Sequence, residues 1–283
     1  MGWTEWEQVK EYKFNDIICE KKYHSDGGGV SRITINRPEV YNAFTGDTID
    51  EVCLALDDAS HDKTIGVVVL TGAGDKAFCT GGDVAWEKEG QDSPVKGSRF
   101  VLSGGRPVIN SFVRRCRKPV IAAVKGYAIG GGHHLAYMCD FTIAAENGRF
   151  GQTGPRVGSP ADGLCVAYLT FVVGAKKARE IWMLTKQYSA QEALDMGLVN
   201  AVVPLEKLDE EVDSWCERIL AHSPECISIL KASFDSVMDH LDGSLGRLQN
   251  LMSPDFFDGM DVREAQSAFF EKRKPNFWKH RSE

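Results

Sequence analysis

The chain has 283 residues, 43% of them hydrophobic and 26% charged, with a net charge of −7. That is enough apolar material for one large domain, or one domain with a small appendage, and the acidic balance argues against a protein that coats nucleic acid. The eight cysteines include no CxxC pair, so they signal neither a zinc site nor a disulfide framework and fit a reducing cytosol.

The start, Met1 to Asp16, is polar and charged. It contains no apolar signal core, and no apolar run of about 18 residues appears anywhere. A soluble, cytoplasmic, unprocessed protein with no membrane partner is expected. Ile17 to Tyr23 and Val30 to Ile35 read as strands around the turn Ser25-Asp26-Gly27-Gly28-Gly29, which predicts a hairpin. Arg37-Pro38 ends the second strand, because proline cannot donate to a ladder. Asp47 to Ser60 places Ile49, Val52, Cys53 and Leu56 at helical spacing behind a Thr45 cap.

Gly66 to Thr71 is a short apolar run that suits a buried parallel strand, and Pro119 to Val124 and Phe141 to Ala144 repeat it. Helical stretches lie between them, so the fold class is α/β with βαβ-type units. After Val203-Pro204 the chain turns helical and charged over Leu205 to Ala221, Pro224 to Leu241 and Val262 to Lys272. A core domain over 1–204 and a helical domain over 205–283 are expected. The Leu, Met and Phe-rich stretch Leu248, Leu251, Met252, Phe256 and Phe257 belongs to the second. It reads as core, or as a surface for a second subunit.

Two glycine-rich segments follow strands: Lys76-Ala77-Phe78-Cys79-Thr80-Gly81-Gly82-Asp83 and Gly126-Tyr127-Ala128-Ile129-Gly130-Gly131-Gly132-His133-His134-Leu135. Neither fits the dinucleotide fingerprint or the phosphate-binding P-loop. Glycines at strand ends let the backbone approach a ligand and turn its N–H groups inward. Two such groups converging on one point form an oxyanion hole, worth ~3 kcal/mol per donor in a transition state. Gly130 to Gly132 also open a predicted helix, whose dipole adds positive potential. Plain tight turns are the competing reading.

Those loops, with Asn36-Arg37-Pro38, Asn42-Ala43-Phe44, Lys118 to Ala122, Cys139-Asp140, Phe150-Gly151-Gln152, Ala193 to Asn200 and Glu271 to Pro275, resemble the crotonase (enoyl-CoA hydratase/isomerase) superfamily over nearly the whole length. The resemblance implies a spiral of βαβ units with a C-terminal helical trimerisation domain, assembled as homotrimers or homohexamers. It implies an acyl-CoA substrate, with coenzyme A as carrier and no required cofactor. Gly82 and Gly131 would supply the oxyanion hole. Ala77, Cys79 and Thr80 would line the adenine region. Arg37, Lys76 and Lys274, the last from a neighbouring subunit, would meet the phosphates. Charge favours that, since phosphates take charge-assisted hydrogen bonds.

The oxyanion hole is shared, so the reaction is read from the acid–base groups. Ordinary hydratases similar to this chain carry glutamates at the positions of His134 and Gly154. Glycine in the second slot resembles the naphthoate synthases and 2-ketocyclohexanecarboxyl-CoA hydrolases. In some naphthoate synthases bicarbonate fills that space, held by residues matching Gln152 and Thr153. Ser159 is retained, but Ala161, Leu164 and Phe257 stand where that subgroup has an aspartate, an aromatic and a tyrosine. Asp162 instead resembles the catalytic aspartate of dienoyl-CoA isomerases. A carboxylate in an apolar pocket titrates closer to neutrality, and a helix N-cap before Leu164 is its competing role. His134 is expected to position water or shuttle a proton. His133 and His134 do not form a metal site, because adjacent helical residues point apart.

The expected activity is addition of water to a cyclic, alicyclic or partly reduced aromatic acyl-CoA, with ring-opening carbon–carbon hydrolysis favoured. Gly82, Gly131, His134, Asp162 and Ser159 would act in catalysis, with Gln152 and Thr153 in ligand binding. Hydration or double-bond isomerisation through Asp162, a naphthoate-synthase-like lyase reaction, and a non-catalytic relative that binds CoA or RNA are the alternatives. A lid over the acyl pocket is expected from Trp86 to Arg106, which is rich in glycine, serine and charge.

Overall fold

The computed structural model describes residues 2–83, 109–158, 161, 163–245, 252–253 and 259–278, without the side chains of 109–111 and 239–245. Its backbone resolves into two compact units, one of Met1–Phe150 with Tyr188–Ser236, the other of Gly151–Gln187 with Val237–Glu283.

The first unit is built on a seven-stranded sheet. Its strands are β1 (Glu7–Gln8), β2 (Ile17–Tyr23), β3 (Gly29–Ile35), β4 (Ile65–Gly72), β6 (Val120–Val124), β8 (Phe141–Ala145) and β11 (Ala201–Val203), in that order across the sheet. β2 and β3 form the expected antiparallel hairpin, with Ile17 opposite Ile35 and Tyr23 opposite Gly29. From β3 to β11 every pairing is parallel. Parallel strands are covered on both faces, which is why Val67 to Leu70 and Val120 to Val124 are buried without alternation.

Helix α1 (Gly46–His61) carries β3 across to β4. It starts on a capping box in which the Thr45 hydroxyl accepts from the Thr48 amide and the Thr48 hydroxyl from the Thr45 amide. A second, four-stranded sheet has the order β10 (Gln187–Ser189), β9 (Arg149–Gly151), β7 (Tyr127–Ile129), β5 (Ala77–Cys79). β5 and β7 pair in parallel, and they join the two glycine-rich segments into one layer.

The remaining helices are α2 (Ile109–Arg115), α3 (Gly131–Met138), α4 (Leu164–Val173), α5 (Ala175–Leu184), α6 (Ala190–Asp195), α7 (Leu208–Leu220), α8 (Pro224–Leu245) and α9 (Met260–Phe270). Packing divides the chain differently from a cut at residue 205. Leu208, Val212 and Cys216 recur every fourth residue along α7, and this stripe lies on Val30, Val67, Val69, Ile121, Ala123, Ile143 and Ala145 of the sheet. Buried Lys231 on α8 donates to the carbonyls of Val113 and Lys118 and to Asp140. α7 and the start of α8, as far as Ser236, are therefore part of the sheet unit.

In the second unit Arg273 holds the buried Glu264 of α9 with two hydrogen bonds of 2.6 and 3.1 Å. No described helix is long and apolar enough to cross a membrane.

Candidate active site at the paired glycine loops

The two glycine-rich segments meet so closely that side chains would not fit between them. A Cβ on Gly126 would lie 2.0 Å from the Lys76 carbonyl oxygen, and one on Gly132 would lie 2.0 Å from that of Cys79. Gly81 has φ +94°, and a Cβ there would lie 2.9 Å from the amide nitrogen of Gly131. Glycine at these positions is a packing requirement as well as a matter of backbone freedom. The Tyr127 amide donates to the Lys76 carbonyl at 3.0 Å, which fixes one loop on the other.

Gly82 is set by a parallel bridge to Phe44. The Phe44 amide donates to the Gly81 carbonyl at 2.8 Å and the Asp83 amide to the Phe44 carbonyl at 2.9 Å. In such a bridge the central residue takes no part in the two bonds, and its own N–H points to the other side. Gly131 is the first residue of α3, behind the capless Gly130. First-turn amides have no acceptor within their own helix, and the helix dipole makes that end positive. Among the described residues neither the Gly82 nor the Gly131 N–H donates to another group. Two backbone donors therefore stand on adjoining loops, and an oxyanion hole would need both N–H groups to converge on one point.

The Phe44 ring rests against Gly131, where a Cβ would come within 2.6 Å of the ring. Phe44 thus touches both loops, through its backbone on one and its ring on the other. The sequence reading used Phe44 only as part of a motif.

His134 lies on the first turn of α3, half-buried, with Tyr137 at 5.8 Å between ring centroids. His133 is fully buried against Tyr137 and Phe150. Burial, and secondarily the neighbouring His134, pulls its pKa down to about 3, so its ring is neutral at physiological pH. The Cys79 thiol is buried and pushed up to about 12 by desolvation, and it accepts from the Gly81 amide at 3.4 Å. As a protonated thiol it braces the loop and is no nucleophile.

Thr80 donates its hydroxyl to the Tyr41 carbonyl, Ala77 is buried in β5, and Lys76 is exposed at its start. Arg37, expected at phosphates, donates to the Ala43 carbonyl at 2.6 Å and to Asp83 at 3.0 Å.

Gln152, Thr153 and Lys274 belong to the second unit. There Gln152 is buried, Lys274 is exposed, and the Thr153 carbonyl accepts from the Arg156 and Val157 amides. Ser159, Asp162, Phe257 and the segment 86–106 lie outside the described residues.

The model of the enoyl-CoA hydratase/isomerase family matches residues 25–280. Among solved structures, a carnitinyl-CoA hydratase from Mycobacterium avium is 30% identical, with a TM-score of 0.75, over 90% of this chain and 97% of its own. A monofunctional enoyl-CoA isomerase from M. smegmatis is 31% identical, with a TM-score of 0.63, over 84% and 98%. A methylmalonyl-CoA decarboxylase in complex with 2-nitronate-propionyl-CoA is 26% identical, with a TM-score of 0.78, over 94% and 99%.

The buried neutral His133 has a measurable consequence. Its pKa is about 3 when folded, against an ordinary 6.5. Between those values the unfolded chain takes up a proton that the native state lacks, so acidification favours unfolding. Stability should fall by up to about 1.4 kcal/mol per pH unit from this group as pH drops below about 6.5. Urea midpoints at pH 7, 6 and 5 should show a shallower decline in His133→Leu than in the parent; equal declines would contradict the assignment.

Proposed function

Since the chain belongs to the enoyl-CoA hydratase/isomerase family, we propose that it acts on an acyl-CoA thioester and holds its enolate oxygen between the amides of Gly82 and Gly131. The observation that carries this reading is the pair of N–H groups, donating to no described residue, on loops packed to within a glycine's tolerance. The relatives named above catalyse hydration, isomerisation and decarboxylation. The fold is therefore common to several reactions, and the side chains around the oxyanion site must choose among them.

The favoured reaction is hydrolytic opening of a cyclic β-ketoacyl-CoA. Water adds to the β-keto carbon, and the bond from that carbon to the α-carbon breaks. The released electron pair becomes the thioester enolate, whose oxygen the two amides hold. A proton then reaches the α-carbon, so the net change is the gain of one water. His134 takes the proton from water, and Asp162 delivers one to carbon, with Ser159 and Gln152 as polar support. His134 and Gly154 support this reading by replacing the pair of glutamates that a simple hydratase uses. The carrier would lie along Ala77, Cys79 and Thr80, with Lys76 and a neighbouring subunit's Lys274 toward its phosphates. A second reading, movement of a double bond with Asp162 as single base, is favoured by the Ala161-Asp162 register and by the likeness to the M. smegmatis isomerase.

Incubation with cyclic β-ketoacyl-CoAs and cyclic and linear enoyl-CoAs in isotopically labelled water separates the two. Ring opening with uptake of one labelled oxygen is the expected result. Deuterium uptake without oxygen would select the isomerase, and no change in any thioester would sink both. On the substrate so identified, Gly81→Ala should lower kcat about 10²–10³-fold, the usual effect of losing one oxyanion donor. Gly74→Ala, which also strains a positive φ but has no atom nearer than 3.9 Å, should leave kcat within about threefold of the parent.

We also assign self-association to the exposed apolar side chains Ile229, Leu230 and Phe234 on α8. Light scattering should give a trimer or hexamer for the parent and the 31.3 kDa monomer for Phe234→Asp. A monomeric parent would contradict this surface.

A further inference from the structure

We propose that Arg37 and Asp83 are a positioning pair that sets the Gly82 amide. The proposal rests on the reading that Gly82 and Gly131 hold a thioester oxygen.

Gly82 lies in no helix and in no strand longer than a single bridge. That bridge consists of two hydrogen bonds, each contributing about 1 kcal/mol net. Such a contact alone is a weak support for a donor that must keep its direction through a reaction. The guanidinium of Arg37 reinforces it from both sides. One terminal nitrogen donates to the Ala43 carbonyl at 2.6 Å, next to Phe44. The other donates to the Asp83 carboxylate at 3.0 Å, next to Gly82. A single planar fork therefore clips together the two chain segments that form the bridge. Arginine is suited to this because its donors diverge in a fixed plane, whereas a lysine ammonium is a compact point charge. Both side chains are largely shielded, Arg37 at 17% and Asp83 at 14% exposure, so solvent weakens the pair less than it would at an open surface.

The clip is anchored to the scaffold. Arg37 Nε lies 3.6 Å from the Asp16 carboxylate, and that carboxylate accepts from the hydroxyls of Thr45 and Thr48, the capping pair of α1. The Arg37 amide donates to the Asn42 side chain at 3.0 Å, and Asn42 in turn donates to the carbonyls of Ala73 and Ala77. Phe44, fixed between these bonds, presses its ring on Gly131. A shift of the Arg37 to Asp83 link would therefore move Gly82 directly and Gly131 through Phe44. Arg37 acts on the reaction through these amides, and its bonds to one carboxylate and a carbonyl, with a second carboxylate at ion-pair distance, differ from those of a phosphate ligand.

Acetoacetyl-CoA is a probe that separates these roles, because its enolate absorbs in the near ultraviolet and free CoA lacks the thioester oxygen. The apparent pKa of bound acetoacetyl-CoA is measured beside the Kd of free CoA in the parent, Asp83→Asn and Arg37→Lys. The parent should lower the probe's pKa below its value in solution. Each variant should raise it again by about one unit, meaning about tenfold less enolate at a given pH, while the Kd for CoA stays within about twofold. An unchanged probe pKa in both variants would overturn the positioning role. So would a large rise in the Kd for CoA with the probe pKa kept, which would return Arg37 to phosphate binding. If the parent itself does not lower the pKa, the two-amide reading fails and the pair falls with it. Asp83→Asn preserves shape, so it reports the lost charge even if Arg37→Lys does not fold.

Discussion

The structure turns on one steric constraint: two backbone loops occupy a space that admits no side chain. Gly126 and Gly132 each face a carbonyl oxygen 2.0 Å from where a Cβ would stand, and Gly81 faces the Gly131 amide. With the side chains gone, peptide groups become the lining, and a peptide group brings an N–H of fixed direction. The parallel pairing of β5 with β7 and the bridge from Phe44 to Gly82 hold those directions. Preorganised donors need no reorganisation when charge develops on a ligand, which is the source of their catalytic value. The buried sheet, its helices and the capping box of α1 all serve to hold this geometry.

Much of this was legible in the residues. The hairpin of β2 and β3, the Thr45-capped α1 and the apolar runs of β4, β6 and β8 follow from period, turn residues and caps, which are local signals. The glycine loops were legible because so many glycines at strand ends need a reason. The assignment of α7 and of the start of α8 to the sheet unit was less visible. A charged amphipathic helix announces that it has a buried stripe, but Leu208, Val212 and Cys216 do not say what that stripe meets.

The candidate site shows the same limit. Arg37 looks like a phosphate contact because it is basic and lies in a motif. Its partner Asp83 is 46 residues away in the chain, a pairing that no local pattern reveals. His133 and His134 are neighbours in sequence, yet one is fully buried and neutral while the other is half-buried on the same turn. In the proposed reaction the choice of chemistry falls to His134, Gly154 and Asp162, where the chain departs from simple hydratases, and the holding of negative charge falls to backbone amides.

A crystal structure with acetyl-CoA bound tests the central claim most directly. The account predicts the thioester oxygen within about 2.7–3.2 Å of both the Gly82 and Gly131 nitrogens, the normal range for such bonds. A thioester oxygen that meets neither amide, with the acyl group bound elsewhere on the chain, would contradict it.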